Sequence, residues 1–239
     1  MTTEITIPVL DEAATLDQQI RKVQAFLTEK YHAADRPRII IADNGSSDGT
    51  FEIGLRLSQE FDEVDVLKVP RRGVGLALKT SWSQSTADIV GYMDLDLATD
   101  LSHFPQAIRA IENEGADLVY GSRLHPQSRV IGRSTKREIA SRVFNFLLQQ
   151  YLDVGFSDGM CGFKWLRRDI YEQLHAAGAD NDGWFFSTEL LTVAEWQNLR
   201  IEELPIVWTD DAASSKVKVL PLAKRYLRAM RRLKKRRKS

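Results

Sequence analysis

Cysteine is almost absent: Cys161 is the only one in 239 residues. A single thiol excludes an internal disulfide and a multi-cysteine zinc site, and it suits a reducing compartment. Long apolar runs are missing too. No stretch approaches the ~20 residues a helix needs to cross a bilayer. The opening MTTEITIPVL lacks the basic flank and apolar run of a secretory signal. These absences lead to the expectation of a cytoplasmic chain without an integral membrane segment. The four histidines, His32, His103, His125 and His175, show no metal-ligand spacing and receive no role. Internal repeats and low-complexity linkers are also absent.

What is present is ordinary in amount and uneven in placement. Apolar residues make up 43% and charged residues 28%, as in globular domains. The 33 basic and 33 acidic residues cancel, yet Lys216–Ser239 holds 12 of the basic residues and none of the acidic ones. The preceding 215 residues therefore carry 21 basic against 33 acidic groups. An acidic body with a basic tail points to an anionic surface as partner.

Apolar periodicity alternates along the first 120 residues. Glu4–Leu10, Arg38–Ala42, Val64–Val69, Ile89–Met93 and Asp117–Tyr120 read as strands. Helices are predicted from Leu16 (with Thr15 and Gln18 as a capping box), over Thr50–Phe61, over Gly75–Ser85, and over Phe104–Glu114 with Pro105 in the first turn. Such alternation predicts an α/β fold, an open, mostly parallel sheet with Rossmann-like halves flanked by helices. Beyond Gly121 the pattern loosens. Ser122–Arg137 reads as a basic loop without an acid, followed by helices over Glu138–Tyr151 and from Asp169, and a strand near Arg200–Trp208. Pro221 opens a basic amphipathic helix.

In open α/β sheets ligands bind beyond the carboxyl ends of the strands. Three polar clusters fall there: Pro8–Glu12, Asp43–Thr50 and Asp94–Asp100. Asp43, ending a buried strand, can accept hydrogen bonds from a base or ribose; alternatively Asp43, Ser46 and Ser47 turn the chain and cap the next helix. Asp94 and Asp96 share a side if the strand continues through them. Paired carboxylates suit Mg²⁺ or Mn²⁺ bridging to phosphates, though solvated loop acids give the same triplet. Gly73 and Gly75 in RRGVGLALK fit a phosphate loop or plain turn chemistry.

Taken in order, PVLDEA, DNGSSDGT, RGVGLA, DLDLATD, GSR, SDGMCGFK and the later SK resemble the family 2 glycosyltransferases of the GT-A fold, over nearly the whole chain. GSR (121–123), DGMCGFK (158–164), WFFSTEL and VWTDDAASSK (207–216) look like the polyprenyl-phosphate sugar synthases. They are closer to dolichyl-phosphate β-glucosyltransferases than to dolichyl-phosphate mannose synthases. The resemblance implies that Pro8, Leu10, Glu12 and Asp43 line a nucleotide-sugar pocket, with Gly45, Ser46, Arg72, Gly73 and Gly75 in the same loops. It implies Asp94 near the ribose and metal, Asp96 on the metal, and Arg123 and Lys216 on phosphates. Two departures stand out. Mannose synthases of this group often carry a third metal ligand, Gln, where this chain has Ala98, so water, Thr99 or Asp100 would have to substitute. They also place an Arg before SK, where this chain reads Thr209-Asp210-Asp211.

The acceptor can be argued from acid–base chemistry. Transfer to an alcohol needs a base, and many family 2 enzymes supply an Asp that Ser187-Thr188-Glu189-Leu190 lacks. A lipid monophosphate, with a second pKa of about 6, is mostly dianionic at pH 7 and needs cations instead. Arg123, Arg129, Arg133, Lys136 and Arg137, with Ser215 and Lys216, are the candidates; Glu189 or Asp158 would be the base for an alcohol. The expectation is inverting transfer of a hexose, glucose from UDP before mannose from GDP, to polyprenyl phosphate, giving a β-linked product. The body would span residues 1–215, and a tail over 216–239 would hold it peripherally on the cytoplasmic face of a membrane. A soluble or glycan acceptor is the alternative, and a non-catalytic binding module the next. Nucleic acid is not expected as a partner, because the acidic body offers no second basic face.

Overall fold

The computed structural model describes residues 1–210 and 219–237. Its first half follows the predicted alternation: β1 (Thr3–Val9), α1 (Leu16–Lys30), β2 (Arg38–Asp43), α2 (Thr50–Glu60), β3 (Val64–Lys68), α3 (Val74–Gln84), β4 (Ile89–Met93), α4 (Phe104–Glu112) and β5 (Leu118–Ser122). All five residues of β4 and of β5 are buried. That is why their sequences are near-continuous apolar runs rather than alternating ones.

The second half holds β6 (Arg129–Ile131), α5 (Thr135–Leu152), β7 (Phe163–Arg167), α6 (Arg168–Ala176), α7 (Phe186–Trp196), β8 (Ile201–Pro205), β9 (Val207–Thr209) and α8 (Val219–Arg236). Seven strands form one sheet in the order β3-β2-β1-β4-β7-β5-β8, and β6 pairs with β9 beside it. Every pairing in the main sheet is parallel except those of β7, which runs against β4 and β5. That inversion positions the site. The carboxyl ends of β1, β2, β4 and β5 share an edge, and the chain enters β7 from the same edge. Residues 158–162 therefore lie among the strand-end loops.

Two apolar clusters sandwich the sheet. One joins β1 and β2 to α1 and α4, through Ile5, Ile7, Leu16, Ile20, Ile39 and Phe104 among others. The other joins Tyr92 and Tyr120 to α3, α6 and α7, and takes in Tyr226, Ala229, Met230 and Leu233 of α8.

Several expectations are corrected here. Thr15 does not cap α1; its hydroxyl donates instead to the Glu12 carboxylate (2.8 Å). The basic segment 122–137 is not all loop, since it contains β6 and the first turn of α5, capped by Ser134. The strand near 200–208 is two strands in two sheets, because Ile206 turns inward between them. The expected boundary at 215/216 lies outside the described residues. The helix beyond it is not an appendage, for its apolar side is buried in the second cluster. Met230 and Leu233 each contribute on the order of 1.5–3 kcal/mol to that docking.

Candidate active site

The loops after β1 and β2 are tied into one wall. Asp11 accepts from the Ser47 N–H (2.8 Å) and from Arg72 (3.3 Å), and its own N–H donates to the Ser46 hydroxyl (3.0 Å). Asp48 accepts from the Ala13 and Thr50 N–H groups, and the Thr50 hydroxyl receives the Glu12 N–H (2.8 Å). These bonds account for much of the polar character of DNGSSDGT: it holds two loops in register. Asp43 is different. It is fully buried, and its Oδ1 receives the Ser46 N–H (3.2 Å). Its Oδ2 is buried too and meets no donor among the described residues. A buried acceptor without a donor is costly, and here it fits a ligand N–H or O–H. Pro8, Leu10, Glu12 and Gly45 border this wall partly exposed, and Gly45 holds φ at 84°.

Gly73 and Gly75 serve packing. The Gly73 N–H donates to Asn44 Oδ1 (2.7 Å), and a Cβ at either glycine would overlap backbone oxygens of residues 181–183. The glycine-rich segment is thus seated on the loop before α7. Glu189 holds that loop from beneath: fully buried, it accepts from the Asp180 and Asn181 N–H groups (2.9 and 2.7 Å) and from Arg232 of α8 (3.4 Å).

Strand β4 stops at Met93, so Asp94 and Asp96 do not follow strand alternation as expected. Leu97 takes a left-handed φ of 52°, and the chain turns. Asp94 is half-buried and Asp96 exposed. Burial, then the neighbouring Asp96 charge, pushes the Asp94 carboxyl up to about 7. Gly162 backs directly onto this carboxylate, where any Cβ would collide with it. Two adjacent carboxylates that resist ionising together are a donor set suited to a hard divalent cation. Among the described residues no group of three or more His, Cys, Asp or Glu side chains could hold a metal. Asp100 cannot readily substitute at the third position, as it caps the following turn by accepting the Ser102 N–H (2.8 Å).

Across from the Asp pair lies a cationic cluster. Arg123 forms a two-pronged pair with buried Asp158, Nε at 2.7 Å and Nη2 at 2.9 Å, and Asp158 also accepts the Arg123 and Met160 N–H groups. Burial would raise the Asp158 carboxyl, but the Arg123 guanidinium prevails and holds it at about 2. Arg123 and Arg133 both lie over the Trp208 ring, at 5.4 and 5.8 Å. Arg133 pairs with Glu138 (3.1 Å), leaving its buried Nε without a partner among the described residues. Arg137 pairs with Asp210, and Arg129 and Lys136 are exposed. Ser215 and Lys216 lie outside the described residues.

Sequence reading had assigned no role to Lys164, Gly162, Asn145 or Trp208. Lys164 is fully buried, and its ammonium donates to the carbonyls of Cys161 (2.7 Å) and Gly159 (3.4 Å); burial lowers it to about 8. Asn145 of α5 receives the Gly159 N–H (3.0 Å), and the Ser187 and Thr188 hydroxyls donate to the Gly159 carbonyl. Segment 158–162 is therefore clamped from below. The Gly and Lys of CGFK were the available signal.

The sheet order and the single inverted strand, with the Asp pair at the β4 edge, are those of the GT-A fold. The family model "Glycosyl transferase family 2" matches residues 4–175, and the chain belongs to that family. It is 34% identical over 205 residues to Glycosyltransferase AglD of Haloferax volcanii, covering 85% of this chain and 32% of that protein. It is 29% identical to the dolichyl-phosphate beta-glucosyltransferase of Saccharomyces cerevisiae, covering 85% and 66%. The chain thus spans about a third of one curated relative and about two thirds of the other. Glucosyl-3-phosphoglycerate synthase from Mycobacterium tuberculosis, in complex with Mn²⁺, UDP and glucosyl-3-phosphoglycerate, shares the fold at a TM-score of 0.62 and 21% identity. That match covers 97% of this chain and 76% of the synthase.

Proposed function

We propose that this chain catalyses inverting, divalent-metal-dependent transfer of a hexose from a nucleoside-diphosphate sugar to a polyprenyl phosphate, with UDP-glucose favoured over GDP-mannose. The observation that carries the reading is a cationic acceptor side with no uncommitted base among the candidates in the described residues. Both carboxylates that might serve a hydroxyl acceptor are committed, Asp158 to Arg123 and Glu189 to the 180–181 backbone. The dolichyl-phosphate relative supports the lipid acceptor, and the Mn²⁺ and UDP bound by the structural neighbour support the donor side.

The chain's residues divide the work. Asp43 offers Oδ2 to the base or ribose, and the tied loops of Asp11, Ser46, Ser47 and Arg72 fix the pocket wall. A Mg²⁺ or Mn²⁺ held by Asp94 and Asp96 would supply charge neutralisation for the departing diphosphate. Arg123 and Arg133, desolvated against Trp208, draw the acceptor phosphate toward the anomeric carbon. An oxygen of the dianionic acceptor forms the new bond as the anomeric carbon–diphosphate bond breaks on the opposite face. The anomeric centre inverts, and no proton needs removing. Exposed Arg225, Arg228, Arg231 and Lys235 of α8 favour an anionic membrane surface, consistent with a peripheral location.

A transfer assay tests this. Purified protein is given radiolabelled UDP-glucose, GDP-mannose, UDP-galactose or UDP-N-acetylglucosamine with polyprenyl phosphate in detergent, with metal or with chelator. Label entering the organic phase from UDP-glucose, only with metal, is the expected result. Nucleotide binding without lipid product from any donor would sink the lipid acceptor.

A further inference from the structure

Helix α5 has two apolar sides, and the body uses only one. Asn145, Leu148 and Leu152 are buried, with Phe144 packing on Tyr226 of α8 at 5.6 Å. On the opposite side Ile139, Val143, Phe146 and Leu147 are 52–58% exposed, and Tyr151 is 38% exposed. Spacings of four, three, one and four residues gather these five into one stripe. Four large side chains left more than half in water on consecutive turns is a costly arrangement for a free surface.

The charge around the stripe is predominantly basic: Glu138 in the first turn of α5 is paired with Arg133 and Arg142, and Asp153 just beyond the helix is paired with Arg237. Residues 139–152 contain no acid, and neither does 219–237. Lys136 stands in line with the stripe at its amino end, and Arg142 flanks it, both exposed. Helix α8 runs alongside, its Lys234 donating to the Tyr151 carbonyl (2.6 Å) and lying over the Tyr151 ring (4.4 Å). Leu227, 52% exposed, and Arg231 share that side of α8 by their i, i+4, i+7 spacing with Lys234. An apolar centre with a predominantly basic rim complements a lipid surface carrying negative headgroups. It does not complement itself, since a two-fold dimer through this patch would set cations against cations.

We propose that the α5 stripe, continued by Leu227 of α8, is the face that lies on an anionic lipid bilayer, with Phe146 and Leu147 entering among the acyl chains. This deepens the lipid-phosphate reading and rests on it for its purpose. It also reassigns the membrane contact: α8 contributes outward cations while its own apolar side is spent on the protein core. The placement serves the site. Arg133 and Arg137 lie at the amino end of α5, and Asn145 ties the same helix to segment 158–162. A bilayer against α5 therefore sets the cationic cluster near headgroup level, where a lipid phosphate resides.

The test is co-sedimentation of the full chain with phosphatidylcholine vesicles, with and without phosphatidylglycerol, comparing wild type with F146S/L147S. Both positions are exposed, so the variant should keep the wild-type Tm. Wild type should bind the mixed vesicles and not the neutral ones, and the variant should bind at least about tenfold more weakly. R231E/K235E should weaken binding to the mixed vesicles similarly and make it less sensitive to salt. Transfer to detergent-dispersed polyprenyl phosphate should be equal for wild type and F146S/L147S, and transfer to vesicle-embedded acceptor should fall in the variant. Equal vesicle binding by wild type and F146S/L147S overturns the proposal whatever the transfer results. So does a wild-type dimer that ignores vesicles and is split by the variant, because the stripe would then be a self-association face. The expected vesicle pattern without transfer to any lipid phosphate leaves the docking face standing and removes the function instead.

Discussion

Asp158→Asn separates a structural carboxylate from a catalytic one. The wild-type carboxylate accepts two bonds from the Arg123 guanidinium and one each from the Arg123 and Met160 N–H groups, with no exposed surface. An amide cannot accept on both prongs, and it leaves the guanidinium, 14% exposed, facing a donor without counter-charge. A folded-state pKa of about 2, against about 3.9 unfolded, corresponds to on the order of 2–3 kcal/mol of stabilisation. Removing one partner of a buried pair costs about 3–5 kcal/mol. At about 2–4 °C per kcal/mol for a chain of this size, Asp158→Asn should lower Tm by about 6 °C or more at pH 7.

The pH dependence follows from the sign of the shift. Because folding depresses the Asp158 pKa, its contribution is fully present above about pH 4 and disappears as pH falls toward 2. Urea unfolding should thus show a constant gap between wild type and variant from pH 7 to pH 5, narrowing below pH 4. In a double-mutant cycle, R123M/D158N should be more stable than the sum of its single changes by on the order of 1 kcal/mol or more. The kinetic counterpart is a raised acceptor KM with donor KM little changed. A Tm shift under about 2 °C together with a kcat loss of about 10² or more would refute this reasoning and make Asp158 a general base.

Other substitutions probe the rest of the site. Glu189→Gln keeps an acceptor for the Asp180 and Asn181 N–H groups but turns an amide toward Arg232, so Tm should fall while kcat stays within about tenfold. A larger kcat loss at unchanged Tm would restore the hydroxyl-acceptor alternative. Asp96→Ala, at an exposed position, should abolish metal-stimulated transfer without a thermal shift, and chelation of the wild type should reproduce the loss. Gly162→Ala would drive a methyl group into the Asp94 carboxylate. Transfer should drop at least about tenfold and the metal concentration for half-maximal activity should rise, read by Mn²⁺ titration.

The parallel half of the sheet was legible because each strand there is a short apolar run and each helix a 3.6-residue stripe, both set by burial that local sequence records. β7 was not. FKWLR is too short to be told from a loop by periodicity, and its placement between β4 and β5 is a long-range pairing. Yet that antiparallel insertion carries 158–162 to the strand ends. The motif DGMCGFK was visible in sequence, while the clamp formed by Lys164, Asn145 and Gly162 required the strand's direction.

Helix α8 shows a different limit. An amphipathic, cation-rich helix carries the same pattern whether its apolar side faces lipid or a protein core. Sequence therefore predicted an amphipathic helix opening at Pro221 without fixing what its apolar side meets, and Tyr226, Ala229 and Leu233 of that helix pack in the protein core. The deciding contacts are non-local: Phe144 and Phe185 against Tyr226, and Arg232 against Asp180 and Glu189. On α5 the ambiguity runs the other way. Its exposed and buried apolar residues together cover most of the helix circumference, so no single stripe stands out in the sequence. Only burial separates the side that packs from the side left open. The basic charge that first suggested a membrane partner thus sits mainly on one helix, and the exposed apolar surface mainly on its neighbour. Their juxtaposition in the fold makes one amphipathic face out of two segments separated by some 70 residues of chain.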